Sequence, residues 1–306
     1  MKSTLTSDRL SAYIEHVELP ARKKFWPESE ARKILRLGSF VGSQIDHYSS
    51  LARSMDQARA HIRDREQSDH SVANGTAIIA DTLRGPKGRF TRAWHAPIGG
   101  LWGNLIYIST LLPRFRLLVP IAVGVAGCEA VRSSGADHAV VRWINDVVID
   151  NMKVAGFLIE HFTGERSKEE YYLIGFGINI NNLEFPSELQ KLATSLRHEL
   201  GRSIDLETFS YCFLAKLSWN LGLLYYQEQI ELEQTYNKKT DQHPLIRRWS
   251  ELSDSLGRRV VFGFDVINNP QFQATVSGIE ADGGLKLVLE DGTELVEYSG
   301  EIRYLD

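Results

Sequence analysis

The segment Arg142–Glu160, RWINDVVIDNMKVAGFLIE, consists largely of two apolar runs separated by a short polar break. Such runs predict two buried β-strands, and the break at Asp150 and Asn151 is typical of a turn. Lys153 begins the second run, where removing an unpaired ammonium group from water is costly. We therefore expect an anionic group to meet Lys153. The alternative is that Lys153 merely flanks an exposed turn.

The chain on either side of this segment alternates between helical and strand patterns. Amphipathic periodicity predicts a helix in SMDQARAHIRDREQ, and apolar runs predict strands in GTAIIAD, NLIYIST, HAVVRWIND and YYLIGFGINI. A long helical pattern, DLETFSYCFLAKLSWNLGLLYYQEQIELEQTYNKK, follows. Because several strands are adjacent along the chain, the pattern indicates an α+β fold with a mixed, largely antiparallel sheet and packed helices.

The chain changes in composition from about Pro244. Short β-rich runs are separated there by NNP, DGG and EDG, which are strong turn signals. A segment of about 60 residues is small for an independent domain. The pattern therefore predicts a small all-β barrel or sandwich that docks on the main domain.

The composition is that of an ordinary globular protein, with 306 residues, a net charge of −4 and 43% hydrophobic residues. This charge argues against a general nucleic-acid-binding surface. The longest apolar run, Leu117–Val131, is shorter than the roughly 20 residues that span a bilayer. The first ten residues lack a secretory signal pattern, so we expect a cytoplasmic protein with Cys128 and Cys212 as structural thiols.

Two further segments suit the binding of an anion. In RGPKGRFTRAW, Gly85 and Gly88 let the backbone approach a ligand, while Lys87, Arg89 and Arg92 offer charge-assisted hydrogen bonds to carboxylate or phosphate. A solvated basic surface loop is the alternative interpretation. In IGFGININN, glycines on a strand either face a ligand or mark a plain bulge.

The order of these segments resembles the catalytic domain of biotin protein ligases, in the biotin/lipoate protein ligase superfamily. A basic Gly-Arg loop is followed by W-x-N-D, K-x-x-G-x-L-x-E, I-G-x-G-I-N and A-T-S-L, between Gly85 and Leu196. The tail VSGIEADGGLKLVLEDGTELVEYSGEI is similar to the family's SH3-like C-terminal domain. The resemblance covers residues 41–306.

The sequence departs from the family pattern in and before the basic loop. The family's G-R-G-R-x-G-R-x-W keeps its middle Gly-Arg, last Arg and Trp here, but Pro86 and Lys87 replace the first Gly-Arg. Leu83 stands in place of a family Gln, and Arg53 and Ser54 stand in place of Ser-Thr. The family's K-W-P-N-D appears as R-W-I-N-D. Because Leu83 and the changed loop positions correspond to contacts with the biotin pocket in the family, either the pocket is rebuilt or the substrate differs.

The resemblance implies three parts of the chain and one activity. The parts are an N-terminal extension over residues 1–40, a biotin/lipoate ligase-like catalytic domain over 41–242 and an SH3-like β-barrel over 243–306. The activity is that of a biotin protein ligase, which forms biotinyl-5′-AMP from biotin and Mg-ATP. The enzyme then transfers biotin to a lysine of a biotin carboxyl carrier protein domain of a carboxylase.

The resemblance also implies roles for individual residues. Lys153 would face the carboxylate and phosphate oxygens, where a fixed cation stabilises the transition state. Arg89 would hold the loop over the adenylate, and Asp146 is a candidate base or orienter for the incoming lysine. Gly156 would let a backbone amide approach the ligand, and Asn179 would face the adenine. Other residues implied in biotin or adenylate binding are Ser54, Met55, Lys87, Gly88, Arg92, Trp94, Arg142 and Asn145. No protein metal ligands are expected, because Mg²⁺ would be held by the phosphates.

Other functions compete with this interpretation. Leu83 removes a polar group from the pocket, which favours a lipoate or octanoate ligase or transferase of the same superfamily. The changed loop permits a non-catalytic descendant that binds a nucleotide or a carrier domain. A DNA repressor would need a helix-turn-helix module of about 60 residues, and only some forty precede the catalytic segment. We therefore expect no DNA partner and no membrane partner, and a homodimer is left open.

Overall fold

The computed structural model describes residues 5–88, 92, 94–233 and 243–305. The helices in these ranges are α1 Ser7–Tyr13, which continues into a π-helical turn Ile14–Glu18, α2 Leu19–Arg22, α3 Glu28–Leu37, α4 Ser54–Gln67, α5 Pro113–Arg116, α6 Val119–Ser133, α7 Leu196–Leu200, α8 Leu206–Glu233 and α9 Pro244–Leu252. None of them is both long and apolar enough to cross a membrane.

The strands form two sheets. The strands of the larger sheet are β1 Ile45–Tyr48, β2 Thr76–Ala80, β3 Leu101–Tyr107, β4 Val140–Arg142, β5 Asp146–Ile149, β6 Met152–Thr163 and β7 Glu170–Ile178. Their spatial order is β1-β2-β3-β7-β6-β5-β4, in which β1 and β2 are parallel and the other pairs are antiparallel. The predicted α+β class with a mixed, largely antiparallel sheet is confirmed.

The segment Arg142–Glu160 contributes to three strands rather than two. The Asp150-Asn151 turn lies where it was predicted, with both residues at positive φ, between β5 and β6. The predicted strand HAVVRWIND is instead interrupted after Arg142. Trp143 is buried, and its Nε1 donates a hydrogen bond to the carbonyl of Gly283 at 3.2 Å. The chain therefore leaves the sheet to place this indole against the C-terminal part of the molecule.

Helices α6 and α8 pack together in the main core. In α6, 12 of the 15 residues are buried, which explains why its sequence is apolar on every side. The N-terminal helix α3 crosses α8 at two glycines. A Cβ atom on Gly38 would lie 1.8 Å from the carbonyl oxygen of Ser218, and one on Gly222 would lie 2.2 Å from that of Ile34. The N-terminal helices thus belong to the main core, and the predicted boundary at residue 40 stays a prediction.

The smaller sheet, which we call the C-terminal sheet, consists of β8 Arg259–Gly263, β9 Phe272–Ile279, β10 Leu285–Val288, β11 Glu294–Glu297 and β12 Glu301–Tyr304. It is antiparallel, in the order β11-β10-β9-β8-β12. This sheet fits the predicted SH3-like unit. It packs on the main core at the turn just before β10. There Gly283 lies beside Leu118, which precedes α6, and Ile121, which belongs to α6.

Candidate active site

A cavity of about 320 Å³ lies over the centre of the larger sheet. Its lining includes three glycines of neighbouring strands, Gly156 on β6 and Gly175 and Gly177 on β7. A Cβ atom on Gly156 would lie 2.6 Å from Cε of Lys153, and one on Gly177 would lie 2.8 Å from Nε1 of Trp94. The absence of side chains at these positions therefore makes room for the groups above the sheet.

Lys153 and Asp146 form an ion pair at this cavity. The ammonium Nζ lies 2.7 Å from Oδ1 of Asp146, and both side chains are about one-third exposed. Nζ also lies 5.4 Å from the ring centroid of Trp94, within the range of a cation–π contact. The backbone of Lys153 is held by hydrogen bonds to Leu192 and Thr194, at 2.8 and 3.1 Å. The anionic group that was expected beside Lys153 is thus present within the protein.

The described part of the basic loop folds back on itself. The amide of Gly88 donates to the carbonyl of Arg92 at 2.8 Å, and the amide of Trp94 donates to Pro86 at 3.2 Å. Lys87, Gly88, Arg92 and Trp94 all line the cavity. The loop therefore forms one wall of the site.

Arg92 joins this wall to the C-terminal sheet. Its Nη1 and Nη2 donate to the two carboxylate oxygens of Glu301 at 3.0 and 2.6 Å, and Nη2 also donates to Asp265 at 3.0 Å. Burial opposes the charge of Arg92, but the hydrogen bond and the charge of Glu301 raise its pKa above the usual value. The hydrogen bond from Asn268, supported by that from Arg92, lowers the pKa of Asp265. The C-terminal sheet thus supplies part of the cavity.

The other end of the cavity is mainly apolar. Its lining there includes Met55, Leu83 and Trp102. The hydroxyl of Ser54, which also lines the cavity, donates to the carbonyl of Gly103 at 3.1 Å. This end therefore suits a ligand with an apolar body.

Two asparagines support the site from below. Nδ2 of Asn179 lies 3.4 Å from the carbonyl of Lys153, and its Oδ1 accepts a hydrogen bond from Asn182 at 3.2 Å. Asn104, on β3, is fully buried, and its Nδ2 contacts Sδ of Met55 at 2.8 Å. Oδ1 of Asn104 has no hydrogen-bond partner in the described part of the chain. Sequence reasoning missed Asn104, although an asparagine inside the apolar stretch LWGNLIY was a usable signal.

The structure brings together most of the predicted site residues. Those that line the cavity are Lys153, Asp146, Ser54, Met55, Lys87, Gly88, Arg92, Trp94, Gly156 and Asn179. Arg142 and Asn145 do not. Arg142 donates to Asp254 at 2.9 Å and stacks on the ring of Tyr304, while Asn145 is buried against α6. Arg89 lies outside the described residues. Lining residues that sequence reasoning missed include His95, Phe185, Leu189, Leu192, Ile267 and Glu301.

This arrangement can bind a molecule that joins an apolar body to an anionic group. Lys87 and Lys153 can face the anion, and Asp146 can accept a proton or a hydrogen bond. The cysteines are not candidates for the nucleophile. Both Cys128 and Cys212 are buried outside the cavity, and burial raises the pKa of the Cys128 thiol to about 12.

Comparison with known proteins supports the resemblance seen in the sequence. Residues 57–179 match the model of the Biotin/lipoate A/B protein ligase family. The chain is 31% identical over 214 residues to the bifunctional ligase/repressor BirA of Bacillus spizizenii, which covers 64% of each chain. It is 33% identical over 185 residues to BirA of Bacillus subtilis, which covers 58% of this chain and 53% of the relative. The chain thus matches less than two thirds of the length of these relatives.

A solved structure shows the same fold. Biotin protein ligase from Aquifex aeolicus, determined in complex with biotin and ATP, aligns with a TM-score of 0.65 and 20% identity. The alignment covers 86% of this chain and 99% of the other. This likeness shows the fold, and the family model together with the BirA relatives confirms the predicted resemblance to the biotin/lipoate protein ligase superfamily.

Proposed function

From the match of residues 57–179 to the Biotin/lipoate A/B protein ligase family, we propose that this chain is a biotin protein ligase. It would activate biotin with ATP and transfer it to a lysine of a biotin carboxyl carrier protein domain. The observation that carries the proposal is the position of Lys153. Its ammonium group stands at the junction of a glycine-lined floor, a basic loop and an apolar end. A carboxylic acid with an apolar body would meet a nucleotide phosphate at that junction.

In the first step, a carboxylate oxygen of biotin attacks the α-phosphorus of ATP. A new P–O bond forms, the bond to the β-phosphate breaks, and pyrophosphate leaves with the electron pair. Negative charge accumulates on the phosphate oxygens, and Lys153 supplies a fixed positive charge there. Its ion pair with Asp146 and its two backbone hydrogen bonds hold the ammonium group in position before the ligand binds.

In the second step, the amine of the carrier lysine attacks the carbonyl carbon of the mixed anhydride, and AMP leaves. The amine loses a proton in this step. Asp146 is exposed enough to meet an incoming amine, and it is the carboxylate closest to Lys153 among the described contacts. We propose that Asp146 orients the amine or accepts its proton.

The basic loop would shield the intermediate from water. An acyl adenylate hydrolyses readily, so a wall that excludes water increases the yield of transfer. The double hydrogen bond between Arg92 and Glu301 fixes this wall to the C-terminal sheet. Lys87 would add positive charge near the phosphates, while Ser54 and Met55 would contact biotin and Trp94, Gly88, Gly156 and Asn179 the adenylate.

Mg²⁺ would be held by the phosphates of ATP rather than by a protein cage. The carboxylates among the described lining residues are Asp146 and Glu301, and each is ion-paired with a basic side chain. The ion would neutralise phosphate charge when it is bound with the nucleotide.

The acid substrate has a second candidate. Leu83 lines the cavity where the family pattern has a glutamine, and Met55 and Trp102 are its apolar neighbours in the lining. An apolar wall gives the polar ureido ring of biotin fewer partners than a glutamine would, whereas it suits the dithiolane or alkyl tail of lipoate or octanoate. This observation favours a lipoate or octanoate ligase as the alternative.

The test is a pair of assays on the purified chain. Pyrophosphate release is measured with Mg-ATP and biotin, lipoate or octanoate, and each acid is then offered together with a carboxyl carrier domain and a lipoyl domain. Biotin-dependent release followed by biotin on the carrier lysine supports the proposal. Release with lipoate or octanoate alone moves the chain to the alternative, and no release with any acid contradicts both ligase functions.

A further inference from the structure

A second cavity, of about 550 Å³, lies between the N-terminal helices and helices α6, α8 and α9. Among the residues that the structure describes, it shares no lining residue with the candidate active site. Its volume is within the range of roughly 300–1,000 Å³ that is usual for small-molecule sites. Biotin ligation as proposed above uses none of its residues, so its function is a separate question.

Two buried carboxylates lie at or beside this cavity. Glu129 accepts hydrogen bonds from Arg22 at 2.6 Å and from Arg248 at 2.8 Å. Glu18 accepts from Arg22 at 2.6 Å and from Lys216 at 2.8 Å. Burial alone would raise the pKa of Glu129, but Arg22 and the other cations lower it to about 2. Glu129 is therefore ionised at neutral pH, and three cations, Arg22, Lys216 and Arg248, surround the two carboxylates.

Two more guanidinium groups extend this positive charge. Arg132 and Arg247 also line the cavity. Arg132 uses Nε to donate to Ala139 at 2.7 Å, and its side chain also contacts the Cys128 thiol. A guanidinium group carries five N–H donors, so others remain for a ligand. Arg247 is mostly exposed, and within the described part of the chain it pairs with Glu251 at 3.9 Å. The described lining holds five basic side chains and two carboxylates, Glu129 and Glu251; with Glu18 beside it, the cluster has a net charge of +2. Donors are available there for an anion.

Aromatic rings form another part of the lining. Phe25 is 84% exposed, which is unusual for a ring of this size. Trp26, next along the chain, packs edge-on against Trp219 at a centroid distance of 5.7 Å. Exposed aromatic faces beside guanidinium groups can stack on a planar ring while the guanidinium groups bind its anionic substituent.

We propose that this second cavity binds an organic anion in which a planar ring is joined to a phosphate group, as in a nucleoside monophosphate. Arg132 and Arg247 bind the phosphate, and Phe25 contacts the ring. The other three basic side chains add positive charge near the ligand but stay in their ion pairs with Glu18 and Glu129. They are Arg22, Lys216 and Arg248. The site is thus built from the N-terminal helices on one side and α6 and α9 on the other.

Calorimetry on the full chain tests this proposal with AMP and with inorganic phosphate as probes. A non-hydrolysable biotinyl-adenylate analogue is added in excess to fill the candidate active site. With the active site filled, we expect one AMP to bind per chain. AMP should bind at least ten-fold more tightly than phosphate. Arg132→Ala combined with Arg247→Ala should weaken AMP at least ten-fold, because charge-assisted hydrogen bonds are lost. Phe25→Ala should weaken AMP several-fold and leave phosphate unchanged.

The control variants separate this site from the active site and from misfolding. Arg303→Ala removes an exposed arginine of the C-terminal sheet outside both cavities, and it should bind AMP like the wild type. Arg247→Ala alone changes an exposed side chain, so it should fold normally and still weaken AMP. The proposal is overturned by no AMP binding at millimolar concentration, by AMP binding that survives the double substitution, or by phosphate that binds as tightly as AMP. Arg132, Arg247 and Phe25 lie outside the candidate active site, so a loss of AMP binding on their substitution reports on the second cavity whichever acid the enzyme activates.

Discussion

Lys153→Gln tests the central element of the proposed chemistry. The substitution keeps the length and hydrogen-bonding capacity of the side chain but removes the charge that meets the phosphate oxygens. Removing one preorganised donor of this kind costs ~10²–10³ in rate, or about 2.7–4 kcal/mol of transition-state stabilisation. We expect adenylate formation, measured as pyrophosphate release at saturating acid and ATP, to fall by about that factor.

The same substitution should leave the fold almost unchanged. The Lys153–Asp146 pair is about one-third exposed, and such pairs contribute about 0–1 kcal/mol to stability. The melting temperature should therefore change by no more than about 2 °C. Lys286→Gln is a matched control, because Lys286 pairs with Glu280 at 3.1 Å with similar exposure but lies in the C-terminal sheet. It should have a similar effect on stability and no effect on the rate.

A second substitution separates the two steps. Asp146→Asn keeps the shape of the side chain but removes its charge and its capacity as a base. We expect adenylate formation to fall less than in Lys153→Gln, and transfer from preformed biotinyl-adenylate to the carrier lysine to fall by about 10²-fold or more.

For Lys153→Gln, wild-type pyrophosphate release by a folded variant would refute the reasoning, because it would show that the ammonium group takes no part in the reaction.

Four further outcomes are expected. Leu83→Gln should raise the affinity for biotin relative to lipoate by about 5–10-fold, because one hydrogen bond to the ureido group is gained; an unchanged ratio of dissociation constants would count against a biotin pocket at this end of the cavity. Glu301→Gln should raise KM for ATP about ten-fold in a folded protein, because Arg92 loses the charge of its bidentate partner; a wild-type KM would show that the loop is positioned without this bond. Glu129→Gln should lower the free energy of unfolding at pH 7 by about 3–5 kcal/mol, because Arg22 loses a buried partner. The pKa of Glu129 is lowered from 4.5 to about 2, so the stability that its charge contributes is fully present above pH 4.5 and is lost as the pH falls towards 2. Denaturant unfolding should therefore show a smaller difference in the free energy of unfolding between wild type and variant at pH 3 than at pH 7. A gel shift with the organism's own biotin-operon promoter should show no specific retardation, because helices α1–α3 pack into the main core; specific retardation would show that a DNA-binding surface is present.

Local periodicity was sufficient to predict much of the larger sheet. The helix predicted in SMDQARAHIRDREQ spans Ser54–Gln67 in the structure, and the strand with Lys153 begins one residue before it. This helix and this strand are both set by residues close in sequence, and the periodicity of apolar residues within one segment is enough to predict them. The turn at Asp150 and Asn151 was predicted for the same reason, because its residue types tolerate positive φ.

The parts that sequence reasoning missed depend on contacts between distant segments. The basic loop marked Arg92 in the sequence, but its partner Glu301 lies 209 residues away and is not distinguished from an ordinary surface charge by its neighbours in sequence. Glu18 and Glu129 also resemble surface charges in the sequence, yet the fold buries both against cations from other helices. Arg142 shows the converse. It matches a position in the family pattern, but here it binds Asp254 outside the cavity.

The C-terminal sheet is coupled to the candidate site through charge rather than through apolar packing alone. Glu301 is 7% exposed, so an unpaired carboxylate there would be costly, and among the described residues Arg92 compensates its charge. The contact between Arg92 and Glu301 therefore compensates the buried carboxylate and also completes the cavity wall. An isolated catalytic unit without β12 would lose both effects. For this reason we expect separation of the two units to reduce the retention of the adenylate more than the stability of the larger sheet.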